Sequence, residues 1–390
     1  MIAGTAALAA ATALQLAELH HVEPEAAGFN PAGLERVASY LDSEVSEGSF
    51  PGAIIVVGRS DGIVFTHATG VYGVDDRRPV ADSTIYDLAS LTKVIGLTTA
   101  VMLLVEDGSL NLQARVQDYV PEFQGPGKSE VRVVHLLTHT SGLPPFRPLY
   151  SETSSAREAL AEVYATDLTT PPGSSYAYSD LGAILLTQIA QRVAGERIDS
   201  LLRRQLFQPL GMQDTGYLPA ADLRHRIAPT EDDPWRGYVV RGEVHDENAH
   251  RLGGVSGHAG LFSTAPDLAR FAIWMLAAYH GRLPENYSPH LSVGVVREFT
   301  RRQNLPPGST RALGWDTPSE NGSSAGSLFS RVSFGHTGFT GTSIWIDPER
   351  ELFVILLTNR VHPSRENTAI RSVRGRVADL VVSSLGSQDS

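Results

Sequence analysis

Ser90 and Lys93 are the residues whose types and spacing are best suited to act together. A serine three positions ahead of a lysine at a helix start puts hydroxyl and amine one turn apart on one face. The following run, Val94 to Val105, is almost wholly apolar and free of proline, which predicts a helix buried on most sides. A lysine there is costly to bury as an ammonium, so its pKa is expected to fall and the amine to act as a base. The helix N-terminus adds free backbone N–H groups and a positive dipole end near the serine oxygen. On its own, S-x-x-K is a common coincidence whose ordinary reading is an N-capping serine beside a solvated lysine. Two further groups change that reading. Tyr178-Ser179-Asp180 stands at the entry to an apolar helix, and His336-Thr337-Gly338 lies between Gly335 and Phe339 on an expected strand.

The elements that must position these groups can be read from periodicity and turn residues. Asn30-Pro31 predicts a capped helix start, and Leu34, Val37, Ala38, Leu41 and Val45 recur at helical spacing. Residues 52–58 and 63–70 read as β-branched strands joined by Ser60-Asp61-Gly62. Asp107-Gly108 stops the helix that follows Ser90, and a further helix is expected from Val131 to Leu137. Leu181 to Val193 and Asp267 to Tyr279 are apolar helices. Phe329 to Phe334, Thr342 to Asp347 and Leu352 to Asn359 read as late strands, before a final helix around Glu366 to Leu385. The order predicts an α/β (α+β) fold: an antiparallel sheet flanked by the first and last helices, with an all-helical domain inserted. The expected division is a leader over 1–27, an α/β domain over 28–82 and 305–390, and a mainly helical domain over 83–304.

A chain of 390 residues is long enough to bury a large core. Its net charge of −11 argues against nucleic acid or an anionic membrane as main partner. The absence of cysteine excludes disulfides, thiolate metal sites and a cysteine nucleophile. Ile2 to Ala17 is uncharged and rich in Ala, Leu and Thr, the length of a signal-peptide core without its basic leading region. Export to the periplasm or medium is therefore expected, with the cytoplasm as alternative. No other stretch reads as a membrane span, and no cofactor or metal is expected.

With its three motifs in this order, the chain resembles the serine β-lactamase and penicillin-binding protein superfamily, in its class C β-lactamase-like branch. The resemblance covers roughly residues 28 to 385 and extends to Val134 to Leu143, Pro209 to Met212 and Gly260 to Thr264. Val244-His245-Asp246-Glu247 and Gly257-His258-Ala259-Gly260 are similar to a narrower subgroup, the penicillin-binding proteins of the 4B kind, which are D-alanyl-D-alanine carboxypeptidases. The resemblance implies that Ser90 is the nucleophile and Lys93 its proton acceptor, and that Tyr178 passes the proton to the leaving group. It also implies an oxyanion hole from the Ser90 and Phe339 N–H groups, with Asp180, His336, Thr337 and Gly338 lining the substrate. Two departures matter: Asp180 replaces the usual asparagine, and His336 replaces the lysine usual in β-lactamases. Tyr178 thereby loses the cationic neighbours that would stabilise a phenolate, which favours Lys93, paired with Asp180, as base. Affinity for a substrate carboxylate should fall unless an arginine such as Arg251 compensates.

Other signals read as structure. Gly322-Ser323-Ser324-Ala325-Gly326 matches G-x-S-x-G, but its polar flanks lack the strand and helix that motif needs. His135 and His139 are spaced as a helical metal pair, without a glutamate after the first. His245, Asp246 and His258 read as packing near the site's rim, and Trp235, Trp274, Trp315 and Trp345 as core or rim. The expected function is a serine acyl hydrolase acting on a D-alanyl peptide, a small ester or a β-lactam, in that order. A penicillin-recognising sensor with little turnover is the competing class.

Overall fold

The computed structural model describes residues 19–284 and 287–386; the apolar segment Ile2 to Ala17 lies outside them. The fold is built on one five-stranded sheet, formed by β1 (Gly52–Arg59), β2 (Gly62–Gly70), β3 (Phe334–Thr337), β4 (Ser343–Asp347) and β5 (Leu352–Thr358). The spatial order is β2-β1-β5-β4-β3, and every pair is antiparallel. The early hairpin and the late strands therefore meet side by side, with Ile55 opposite Leu356.

Alternation along the strands sends side chains into two cores. Ala53, Ile55, Val57, Trp345 and Val354 face α1 (Pro31–Ser46) and α5 (Ile370–Ser383). Ile54, Val56, Ile344, Ile346 and Ile355 face the helical region, where α4 (Ala265–Tyr279) crosses β1 and β5. The remaining helices that matter to the site are α2 (Thr99–Glu106) and α3 (Asp180–Ala194). Asn30 caps α1 by accepting from the Ala32 N–H, with Pro31 at its first position.

Three expectations are corrected. The apolar run after Ser90 is not one regular helix: a 3₁₀ turn, Ala89–Leu91, leads into a π-type turn, Lys93–Thr98, and only then α2. As a whole, Ala89–Glu106 is long and apolar enough to cross a membrane, but 83% of it is buried inside the protein. The segment from Phe329 is not a strand until Phe334, because residues 330–333 form a turn held on the Asp347 carboxylate. The helix carrying His135 ends at Leu137, so His139 is not on it and has φ 55°.

Candidate active site

Ser90 is delivered by a strained turn. Tyr86–Asp87 is a short strand paired with Leu261–Ser263, and the Asp87 carboxylate accepts from the Ala89 N–H at 2.8 Å. Ala89 has φ 46°, a left-handed conformation unusual for a residue with a Cβ. Lys93 follows one turn later. Its Nζ donates to Ser90 Oγ at 3.0 Å and to the His258 carbonyl at 2.9 Å, and lies 2.7 Å from Asp180 Oδ1.

The Lys93 side chain is 4% exposed, and burial alone would lower its pKa as expected. The adjacent Asp180 carboxylate, aided by Tyr178, outweighs burial and holds the amine above its ordinary value. This corrects the expected fall: Lys93 rests as an ammonium. Asp180 comes to it as the first residue of α3, whose N-cap Ser179 accepts from the Gly182 N–H at 3.1 Å.

Tyr178 stands over the same amine, with Lys93 Nζ 5.0 Å from its ring centroid. Its buried hydroxyl has no hydrogen-bond partner. A residue the sequence offered only as a metal candidate supports it: the His139 ring lies 4.6 Å from the Tyr178 ring, and His139 Nδ1 accepts from the Ser179 N–H at 3.1 Å. Burial, then Arg311 and Lys93, hold His139 well below the usual histidine pKa, so it stays neutral and keeps that acceptor. His336 lies on the far side of Tyr178, 5.9 Å between rings. It too is neutral, held down by burial, Arg311 and Lys93. Its Nδ1 lies 2.8 Å from the Thr337 carbonyl and must donate to it, which leaves the buried, unpartnered Nε2 as an acceptor.

The third motif is pressed against the serine turn. Thr340 Oγ1 donates to the Asp87 carbonyl at 2.7 Å and Thr342 Oγ1 to the Leu88 carbonyl at 3.0 Å. A Cβ on Gly338 would lie 2.1 Å from Thr342 Oγ1 and 2.4 Å from the Leu88 oxygen, so only glycine fits there. Arg374 donates to the Gly338 and Thr342 carbonyls, and Arg360 to that of Phe339.

Ser90 opens onto a cleft of about 340 Å³ that it shares with Tyr178, His336, Thr337, Gly338 and Phe339. Four arginines also line it, Arg311, Arg360, Arg371 and Arg374, against one carboxylate, Asp316. Arg374 is pushed down to about 9 by burial and then by Arg360. Arg311 is 3.6 Å from Asp316 and leaves a buried Nη1 without a hydrogen-bond partner. No motif marked Arg311, and its role was not legible from sequence.

Other candidates lie elsewhere. Arg251 is not a cleft cation: it donates to the Tyr150 and Ser154 carbonyls. His135 Nδ1 accepts from the Arg132 N–H, so the two histidines of the supposed metal pair serve different loops. Ser324 sits in a turn with no strand before it or helix directly after it. His245 and His258 are buried behind the site, paired with Glu231 and Asp246 at 2.9 Å each. Trp274, Trp315 and Trp345 are core residues, whereas Trp235 is exposed.

A half-buried serine hydroxyl at a cleft, a one-turn lysine and a tyrosine at a helix entry, set beside an antiparallel sheet, define a serine hydrolase. The chain belongs to the Beta-lactamase family, whose pattern matches residues 36–378. It is 31% identical over 395 residues to the "N-acetylmuramyl-L-alanine amidase" of Bacillus subtilis (strain 168), covering 90% of this chain and 87% of that one. It is also 31% identical over 381 residues to the "Putative D-alanyl-D-alanine carboxypeptidase" of Escherichia coli (strain K12), covering 87% and 85%. Among solved structures, a penicillin-binding protein homologue from Caulobacter crescentus matches with a TM-score of 0.72 at 23% identity, over 92% of this chain and 99% of that one. The hydrolase EstCE1 matches at 0.73 and 20%, over 90% and 99%. At these identities the structural matches show a shared fold.

Proposed function

We propose that this serine hydrolase acts as a D-alanyl-D-alanine carboxypeptidase, through an acyl-enzyme on Ser90. The carrying observation is the arginine-lined cleft beside Ser90, above all Arg311, which lines it with Arg360, Arg371 and Arg374 against the single carboxylate of Asp316, a wall that suits the C-terminal carboxylate of a peptide. The role expected of Arg251 thus passes to Arg311.

In acylation, Ser90 Oγ attacks the peptide carbonyl while its proton passes to Lys93, which hands one of its own to Asp180. The base is the Lys93–Asp180 pair, because Lys93 alone is already protonated. The Ser90 and Phe339 N–H groups receive the oxyanion, each worth about 3 kcal/mol of barrier. Tyr178 protonates the departing amine of D-alanine and is reprotonated through Lys93. Water then attacks the ester, its proton returning by the same groups, and Ser90 regains its hydroxyl.

The test runs diacetyl-lysyl-D-alanyl-D-alanine, p-nitrophenyl butyrate and nitrocefin side by side. D-Alanine release is expected to exceed nitrocefin turnover and to vanish in Ser90→Ala. Arg311→Gln should raise the peptide's KM about tenfold, one charge-assisted hydrogen bond, and leave the neutral ester unchanged. Turnover of the ester or nitrocefin without the peptide would leave a hydrolase of another substrate class.

A further inference from the structure

Asp87 carries no role in the mechanism above, yet it touches both halves of the oxyanion hole. It is 2% exposed and has no cation within ion-pairing distance among the described residues. Its Oδ1 accepts from the N–H of Ala89, the residue before Ser90, at 2.8 Å. Its carbonyl accepts from the hydroxyl of Thr340, the residue after Phe339, at 2.7 Å. Its Oδ2 accepts from the His245 N–H at 2.6 Å, and the His245 ring stacks on Phe339 with centroids 5.7 Å apart.

We infer that Asp87 is a positioning residue that fixes the Ser90 and Phe339 N–H groups relative to one another, through Ala89, Thr340 and His245. The inference rests on the oxyanion role proposed for those two groups. Three features argue that the arrangement is under tension and needs a holder. Ala89 is held at φ 46°, and the Asp87 Oδ1 bond to its N–H spans that strained peptide. Gly338 approaches the Leu88 carbonyl too closely for any Cβ, so the two segments meet backbone to backbone. The carboxylate itself is buried, a condition that raises its pKa and that its two N–H donors oppose.

His245 is in turn fixed from behind. Its Nε2 lies 2.9 Å from Glu231, which also accepts from Arg365, and Arg365 reaches Glu247 at 2.7 Å. His245, read from sequence as rim packing, is thus part of a brace that runs from Arg365 through Glu231 to the serine turn.

Two isosteric variants test this. Asp87→Asn replaces one acceptor by a donor facing an N–H, and Thr340→Val removes only the hydroxyl that reaches the Asp87 carbonyl. Both are expected to lower kcat on a Ser90-dependent substrate, Asp87→Asn by about 100-fold, the scale of one lost oxyanion donor. KM should stay within about threefold, and Thr340→Ser should behave as wild type. Phenylboronic acid, which forms a tetrahedral adduct on a serine oxygen, should lose affinity by the same factor as kcat. A purely structural role would lower the melting temperature and leave kcat and boronate affinity unchanged; that result overturns the inference. If Asp87→Asn does not fold, the Thr340→Val and Thr340→Ser pair decides alone. Activity retained by Ser90→Ala overturns the underlying mechanism and this inference with it. A Ser90-dependent enzyme indifferent to Thr340→Val overturns only the inference.

Discussion

Replacing Asp180 by asparagine should turn Lys93 from a resting ammonium into a titrating base. Two unit charges 2.7 Å apart attract by about 6 kcal/mol at an effective dielectric near 20. The Asp180 side chain is 22% exposed, so solvent screening reduces this, and about half is a fair working figure. About 3 kcal/mol corresponds to a fall of about 2 pKa units for Lys93, or about 100-fold more free amine at a pH below its pKa. The kcat/KM profile for nitrocefin should therefore gain a rising alkaline limb and exceed wild type, increasingly so from pH 7 to 10. Stability gives an independent check. The raised pKa of Lys93 stabilises the native protein below the unfolded lysine value and is lost as pH rises through the folded value. In Asp180→Asn most of that contribution is removed, because the amine loses the carboxylate that held its proton. The variant should melt below wild type at pH 7, and the gap should close as pH rises. Nitrocefin turnover below wild type throughout, or a flat profile, would refute the reasoning.

Three further outcomes follow from named contacts. His139→Leu removes the acceptor of the Ser179 N–H and should cost about 1–3 kcal/mol of stability, read by urea unfolding, with a fall in kcat as Tyr178 loosens. Gly338→Ala drives a Cβ into Thr342 Oγ1 and the Leu88 carbonyl, so boronate binding and turnover should both be lost even where the protein remains folded. Asp267, raised to about 6 chiefly by burial, binds its proton more tightly in the native state than in the unfolded chain. Its contribution should therefore grow as pH falls from about 6 toward 4, and Asp267→Asn should flatten the melting temperature over that range.

The sheet and its flanking helices were legible because each obeys a local rule that tertiary contacts did not override. Asn30 and Pro31 start α1, Gly62 turns the first hairpin, and the unbroken apolar run of residues 53–57 already marks a strand buried on both faces. The errors fall where local rules compete with the site. Val94 to Val105 has helical periodicity, but its first turn must also carry Lys93 inward, and it is wound as a π-type turn. The strand expected from Phe329 is interrupted because Ser330 and Ser333 bond one another, with Ser330 on Asp347.

The chemistry of Lys93 shows the deeper limit. Its burial could be anticipated from the apolar run around it, and so could its nearness to Asp180 from the motif order. Their balance could not, because burial and a carboxylate push an amine's pKa in opposite directions and the winner depends on a separation of 2.7 Å. The same reasoning applies to His139 and Arg311. The first serves through its ring Nδ1, which accepts from the Ser179 N–H, the second as a cation on the cleft wall 3.6 Å from Asp316. Neither condition has a sequence signature, since each depends on the surrounding fold. Residue types in order therefore identify a serine hydrolase, whereas under the proposed function the preference among peptide, ester and lactam depends on the groups around the serine. In this chain those groups are cationic on the cleft wall and anionic behind the lysine, so under the proposed function the wall suits a substrate that carries a carboxylate.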